Sequence, residues 1–122
     1  KLPIQYAINY PDRLKNDFKR FNFLDCPTFS FQKADMETFR NLDLAFKSLT
    51  KGGNMPCILN AANEVVVEAF LQDKIGFLQM SDVIEQCMEE IGFIEKPQLT
   101  DYLETDKHSR ILAGELVTKS KV

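Results

Sequence analysis

Side chains able to do chemistry are few in this chain of 122 residues, and they do not gather into a catalytic pattern. His108 is the only histidine, which excludes a histidine-based triad or a two-histidine metal site within the chain. A di-iron bundle needs Glu-x-x-His, and the residue three before His108 is Thr105. His108 is expected to be a solvated residue near a helix start. Glu64 with Glu68, and Glu85 with Glu89, each place two carboxylates one helical turn apart on one face. A hard cation could use such a pair only with further oxygen ligands, so a solvated face is the expected role. The glycines at 52, 53, 76, 92 and 114 make neither a dinucleotide fingerprint nor a P-loop. Cys26, Cys57 and Cys87 are odd in number and far apart, without a C-x-x-C. They fit small buried thiols in a reducing cytosol better than a disulfide framework or a zinc site. No nucleophile has a base in view. The expected catalytic, cofactor-binding and metal-ligating residues of this chain are therefore none.

The elements that would have to position any site centre on Pro56–Asp73, PCILNAANEVVVEAFLQD. At about 100° per residue, Ile58, Leu59, Ala62, Val65, Val66, Ala69 and Phe70 form one broad apolar arc, which Val67 and Leu71 extend. Cys57, Ala61, Glu64 and Glu68 are left as a narrow strip for water. A helix this apolar is expected to be central and wrapped by others. Asn60 and Asn63 fall inside the apolar perimeter, where unpaired amides are costly. They are expected to pin the helix to a neighbouring loop, with a place at the wall of a ligand cleft as the alternative.

Around that rod the spacing predicts three longer helices. One runs from about Phe39 to Lys51 with Leu42, Ala45, Phe46 and Leu49 as its apolar stripe, stopped by Gly52-Gly53. Asn54 is placed to cap the central helix, with Pro56 in its first turn. Another helix spans about Gln79–Ile91, with Met80, Val83, Ile84, Cys87, Met88 and Ile91 on one face. The last spans about Asp106–Thr118, with Ile111, Leu112, Leu116 and Val117 apolar, after a short turn capped by Thr100 or Asp101. Pro3–Asn9 reads as two helical turns ended by Pro11. Between them, Phe18, Phe21, Phe23, Phe29 and Phe31 mark an extended aromatic arm, with a short strand at Thr28–Phe31. The fold class expected is mainly α: a four-helix up-and-down bundle preceded by that arm and a short amino-terminal helix.

The chain carries 15 Lys and Arg against 18 Asp and Glu, with no basic cluster. Nucleic-acid binding is therefore not expected, and stacking on the phenylalanines would want interleaved cations over a longer span. No apolar run approaches the roughly 20 residues that span a membrane, and no signal peptide heads the chain. Because it opens at Lys1 directly into LPIQYAINYP, an excised piece of a longer protein is one expectation and a natural terminus the other.

The segments LPIQYAINYPDR, TFSF, and LNAANEVVVEAFL followed by IGF occur in an order and spacing similar to those of one family over essentially the whole chain. The chain resembles the carboxy-terminal part of the 1-deoxy-D-xylulose 5-phosphate reductoisomerases. That resemblance implies an enzyme making 2-C-methyl-D-erythritol 4-phosphate in the non-mevalonate isoprenoid pathway, with NADPH delivering hydride and Mg²⁺ or Mn²⁺ as Lewis acid. It implies that residues 1–13 end a catalytic domain, 14–37 form a linker arm and 38–122 form the carboxy-terminal helical bundle. The family's nucleotide fingerprint, metal-binding acids, catalytic lysine and phosphate-binding residues match nothing in this chain. No catalytic, cofactor or metal residue is carried over, and this chain alone is expected to be inactive. Its implied partners are the family's amino-terminal and central domains, and its implied location is a bacterial cytoplasm or plastid stroma. Two other classes compete: a free-standing helical interaction module docking its aromatic arm, and an autonomous metalloenzyme. Ile4, Ile8 and the arm phenylalanines, if uncovered, are expected to make the chain a homo-oligomer.

Overall fold

The structure, a computed structural model, describes residues 2–120. Five helices follow in order: α1 Leu2–Asn9, α2 Arg40–Lys51, α3 Met55–Leu71, α4 Phe77–Glu90 and α5 Leu99–Lys119. The mainly α class expected from the sequence is the class observed. The chain forms two compact units, one reaching Lys33 and the other beginning at Ala34.

In the first unit, α1 is amphipathic but too short to stand by itself. Asn16 donates from Nδ2 to Gln5 Oε1 at 3.0 Å, and the Arg13 guanidinium sits 4.8 Å over the Tyr6 ring. Tyr6 meets Tyr10 edge-on at 5.8 Å, and Phe21 touches both Phe23 and Phe29. Ile4, Ile8, Phe23, Leu24 and Phe31 are nonetheless exposed. Thr28–Phe31, expected as a strand, is neither strand nor helix, and no strand occurs among the described residues. The physical reason is that alternation makes a strand only where a second extended segment completes its hydrogen bonds.

The second unit is the bundle. Its core joins Leu44 of α2, Ile58, Ala62 and Val66 of α3, Met80, Val83, Ile84 and Cys87 of α4, and Ala113, Leu116 and Val117 of α5. α3 and α4 each pack on every other helix of the bundle, whereas α2 and α5 lie apart with that pair between them. The apolar stripe expected on α4 is the one buried, and its helix starts two residues early, at Phe77. Gln79 makes this start possible by accepting the Gly76 N–H at 2.7 Å. α5 also begins early, at Leu99, because Asp101 accepts the Gln98 N–H at 2.7 Å, so the expected separate turn is the helix's own first turn. α3 closes with the Lys74 N–H on Ala69 O and the Asp73 N–H on Phe70 O, Asp73 taking a φ of 54°. This is the left-handed helix stop that aspartate tolerates better than most residues.

Two helices are rotated from the expected orientation. On α2 the bundle buries Leu44 and Ser48, while the stripe of Leu42, Phe46 and Leu49 faces outward. Arg40 lies on the inward face one turn before Leu44, and its guanidinium bridges Asp82 at 2.5 Å and Glu85 at 2.6 Å, both on α4. That forked pairing lies beside the face of α2, Leu44 and Ser48, that packs into the bundle. On α3, Ala61 is fully buried and Asn60 is exposed, the reverse of the expected order. Alanine lets neighbouring helices approach closely, so packing decided what apolarity ranked low. α3 is also bare at Val67 and Leu71 and is thus wrapped on three sides rather than all round.

Gly114 lies in the middle of α5, and a Cβ there would meet nothing within 4 Å. Gly114→Ala is therefore expected to raise stability by about 1 kcal/mol through helix propensity, read as a higher urea midpoint with unchanged slope.

Candidate functional site

Each residue singled out for chemistry has a definite place. His108 is exposed in the interior of α5, not near its start. Glu64 accepts from Arg110 Nη2 at 2.7 Å and from Asn60 Nδ2 at 3.3 Å, and Arg110 also reaches Asp106 at 2.8 Å. The Arg110 guanidinium beside it is the main reason the Glu64 carboxyl titrates below its usual range. Glu68 accepts from Gln72 at 3.1 Å. Glu85 is held by Arg40. Both carboxylate pairs thus have a member committed to an arginine across helices. Among the described residues no three His, Cys, Asp or Glu side chains come together as a cation would require. Asn63 is half-buried on α3.

The Glu64 arrangement has a pH consequence. Its folded-state pKa is depressed, so its contribution is present above the unfolded pKa and is lost as pH falls through the folded one. Arg110→Met should flatten the acid limb of the stability curve between about pH 5 and pH 3 by lowering the neutral end while leaving the acid end unchanged, and the drop should be small because the pair is exposed. Urea midpoints measured across that range check it.

The cysteines differ in environment rather than sharing the expected burial. Cys26 is exposed, Cys57 half-buried and Cys87 fully buried. Burial pushes the Cys87 thiol up to about 11 and raises Cys57 as well, with its Sγ–H on Tyr102 O at 3.5 Å. Because the thiolate is the reactive form, iodoacetamide at pH 8 should modify Cys26 first and Cys87 only on unfolding, as peptide mass mapping would resolve.

The residue placed correctly by the sequence but given the wrong task is Asn54. It stands at the expected cap of α3 but makes no side-chain cap hydrogen bond. Its amide is completely buried and bridges three distant groups. Nδ2 donates to Gly92 O at 3.0 Å and to Thr105 Oγ1 at 3.2 Å, and Oδ1 accepts the Ile94 N–H at 2.9 Å. The Asn54 backbone N–H also reaches Ile94 O at 3.0 Å. Tyr102 Oη approaches Gly53 O at 3.4 Å, and Lys51 Nζ lies 5.0 Å from the Phe93 ring centre. The start of α3, the 91–98 connection and α5 are fastened together at this point. The signal in the sequence was the amide itself, but nothing marked its partners.

Cavities are shallow. One of about 380 Å³ in the first unit is lined by Gln5, Tyr6, Arg13, Lys15, Asn16 and Arg20. Another, of about 330 Å³, lies between α3 and α5 beside Glu68, Gln72, Lys74 and Gly114. Neither joins a nucleophile to a base. What the bundle offers chemically is rigidity: a satisfied core with no buried side-chain polar atom lacking a partner among the described residues.

The family model described as the DXP reductoisomerase C-terminal domain matches residues 1–112. A 1-deoxy-D-xylulose 5-phosphate reductoisomerase of Bacteroides fragilis is 53% identical over 119 residues, which are 98% of this chain and 31% of that relative. The enzyme of the same name from Ruminiclostridium cellulolyticum is 45% identical over 117 residues, covering 96% of this chain and 31% of its own length. The solved structure of 1-deoxy-D-xylulose 5-phosphate reductoisomerase from Zymomonas mobilis in complex with NADPH superposes with a TM-score of 0.79 at 33% identity. The match covers 95% of this chain and 31% of that one. The chain thus spans about a third of the length of the proteins it matches. It belongs to the family of DXP reductoisomerase C-terminal domains.

Proposed function

We propose that this chain is the carboxy-terminal scaffold of a reductoisomerase that converts 1-deoxy-D-xylulose 5-phosphate to 2-C-methyl-D-erythritol 4-phosphate with NADPH and Mg²⁺ or Mn²⁺. The observation that carries the reading is the match over 98% of this chain to an enzyme of which it spans only 31%. In this reading residues 1–13 end the catalytic domain, 14–37 are the linker and 38–122 the bundle. NADPH stands in the printed name of the Zymomonas mobilis structure and is carried to the whole protein from there. The donor set does not fit a divalent ion, because Glu64 and Glu85 are already paired with Arg110 and Arg40. The catalytic, cofactor and metal residues therefore belong to the remainder of the enzyme, and none is assigned to this chain. The bundle's role is to hold that remainder in shape, its own core being complete. The bacterial relatives support a bacterial cytoplasm over a plastid stroma as the site of action. The exposed Ile4, Ile8 and arm phenylalanines support self-association of the chain when it is by itself.

An NADPH-oxidation assay with the pentulose phosphate tests the reading on this chain and on the full gene product. Turnover is expected from the full product only. Turnover by the 122 residues alone, or none by the full product, would overturn it.

A further inference from the structure

Charge is divided unevenly between the two units of this chain. Residues 1–33 carry six Lys and Arg against three Asp and Glu, whereas residues 34–122 carry nine against fifteen. The two arginines of the bundle are engaged internally, Arg40 with Asp82 and Glu85 and Arg110 with Glu64 and Asp106. In the first unit Arg13, Lys15 and Arg20 make no ion pair among the described residues, and all three line the cavity of about 380 Å³. Arg13 is steadied instead by the Tyr6 ring 4.8 Å away, and its N–H donors meet no acceptor among the described residues. Gln5, half-buried on α1, adds to this wall. Asn16 Oδ1 accepts the Phe18 N–H at 3.1 Å, so Nδ2 is the end that donates to Gln5 Oε1 at 3.0 Å. That bond occupies the oxygen of Gln5 and leaves its Nε2 as a donor without an acceptor among the described residues.

We propose that this cavity binds a small hydroxylated phosphate ester. Its walls are rich in donors and cations, and a phosphate dianion is the complementary group, all acceptor oxygens and negative charge. Arg13, Lys15 and Arg20 take the phosphate, with the Gln5 amide beside them. Asp12 is the one acid on the wall. Its carboxylate repels a bare phosphate but accepts a hydrogen bond from a hydroxyl, so it favours an ester carrying hydroxyls over the inorganic ion. The volume falls within the roughly 300–1,000 Å³ of small-molecule sites and leaves room for a carbon body beyond the phosphate. The site uses residues of this chain alone. It goes beyond the proposed function and stands whether or not that reading holds.

The test is reductive methylation of lysines in this chain and in the full gene product, read by peptide mass mapping, with glycerol phosphate or inorganic phosphate as the probe. Labelling of Lys15 is expected to fall several-fold with millimolar glycerol phosphate while Lys33, which does not line the cavity, is labelled as before. Inorganic phosphate should protect Lys15 only at higher concentration, and salt should weaken both effects. Arg20→Gln, at an exposed residue, should leave the urea midpoint unchanged and raise the concentration needed for protection roughly three- to fivefold. Asp12→Asn should act in the opposite sense on the inorganic ion, tightening it and erasing the preference for the ester. Loss of affinity for inorganic phosphate in that variant would overturn the role given to Asp12. Equal protection of Lys15 and Lys33, or protection unchanged by Arg20→Gln, would show diffuse ion screening and overturn the site. Equal protection by the two probes restricts the cavity to a free anion and overturns the ester. Protection in this chain but not in the full product shows a surface covered by the remaining polypeptide and overturns the site equally.

Discussion

Asn54→Ala is expected to destabilise the bundle by about 3–5 kcal/mol, a large share of the 5–15 kcal/mol that a domain of this size possesses. The side chain is completely buried, and its removal strands Gly92 O, the Ile94 N–H and Thr105 Oγ1 together. Each stranded buried group costs about 1–3 kcal/mol, discounted here because a water can enter the space vacated. Urea unfolding at one fixed low protein concentration gives the value. A loss below about 1 kcal/mol would mean that the 91–98 connection rearranges to satisfy itself. Asn54→Asp separates the roles of the two amide ends. The new carboxyl still accepts from Ile94 but, when ionised, faces Gly92 O without a donor. Burial raises its folded pKa, so the variant should be most stable below the unfolded pKa and lose stability as pH rises through neutrality.

Gly53→Ala is the second large effect, expected at about 3 kcal/mol. Gly53 has a φ of +56°, where an L side chain costs about 1–2 kcal/mol. A Cβ would also lie 2.3 Å from Ile94 O and 2.7 Å from the Phe93 ring. The ring could swing aside, but Ile94 O could not without giving up the Asn54 N–H that it accepts at 3.0 Å. The steric and hydrogen-bond losses are therefore linked, and the double variant with Asn54→Ala should cost less than the two single losses added. Additivity of the two would show that the glycine and the amide act separately.

These two residues also show where sequence reasoning reached and where it stopped. Gly52-Gly53 was legible as a helix stop and Asn54 as a polar residue at a helix start, since both follow from local backbone preference. The task Asn54 performs was not legible. Gly92, Ile94 and Thr105 lie roughly forty to fifty positions away in the chain, and no local rule pairs them with it. Asn60 was misassigned for a related reason. Its place inside the apolar arc rested on ranking Ala61 as expendable, and close packing of neighbouring helices buried Ala61 instead.

Helix number, most boundaries and the stripe on α4 were determined by the sequence, because helical period and caps are nearest-neighbour properties. The kinship was legible too, through LPIQYAINYPDR and LNAANEVVVEAFL. Only tertiary structure decided which way α2 turns. Its apolar stripe pointed to one face, but Leu44 and Ser48 on the other face are the residues the bundle buries, with Arg40 bridging Asp82 and Glu85 of α4 beside them. Periodicity shows that a helix has an apolar side; the charges and small residues of its neighbours decide whether this bundle or another surface covers it.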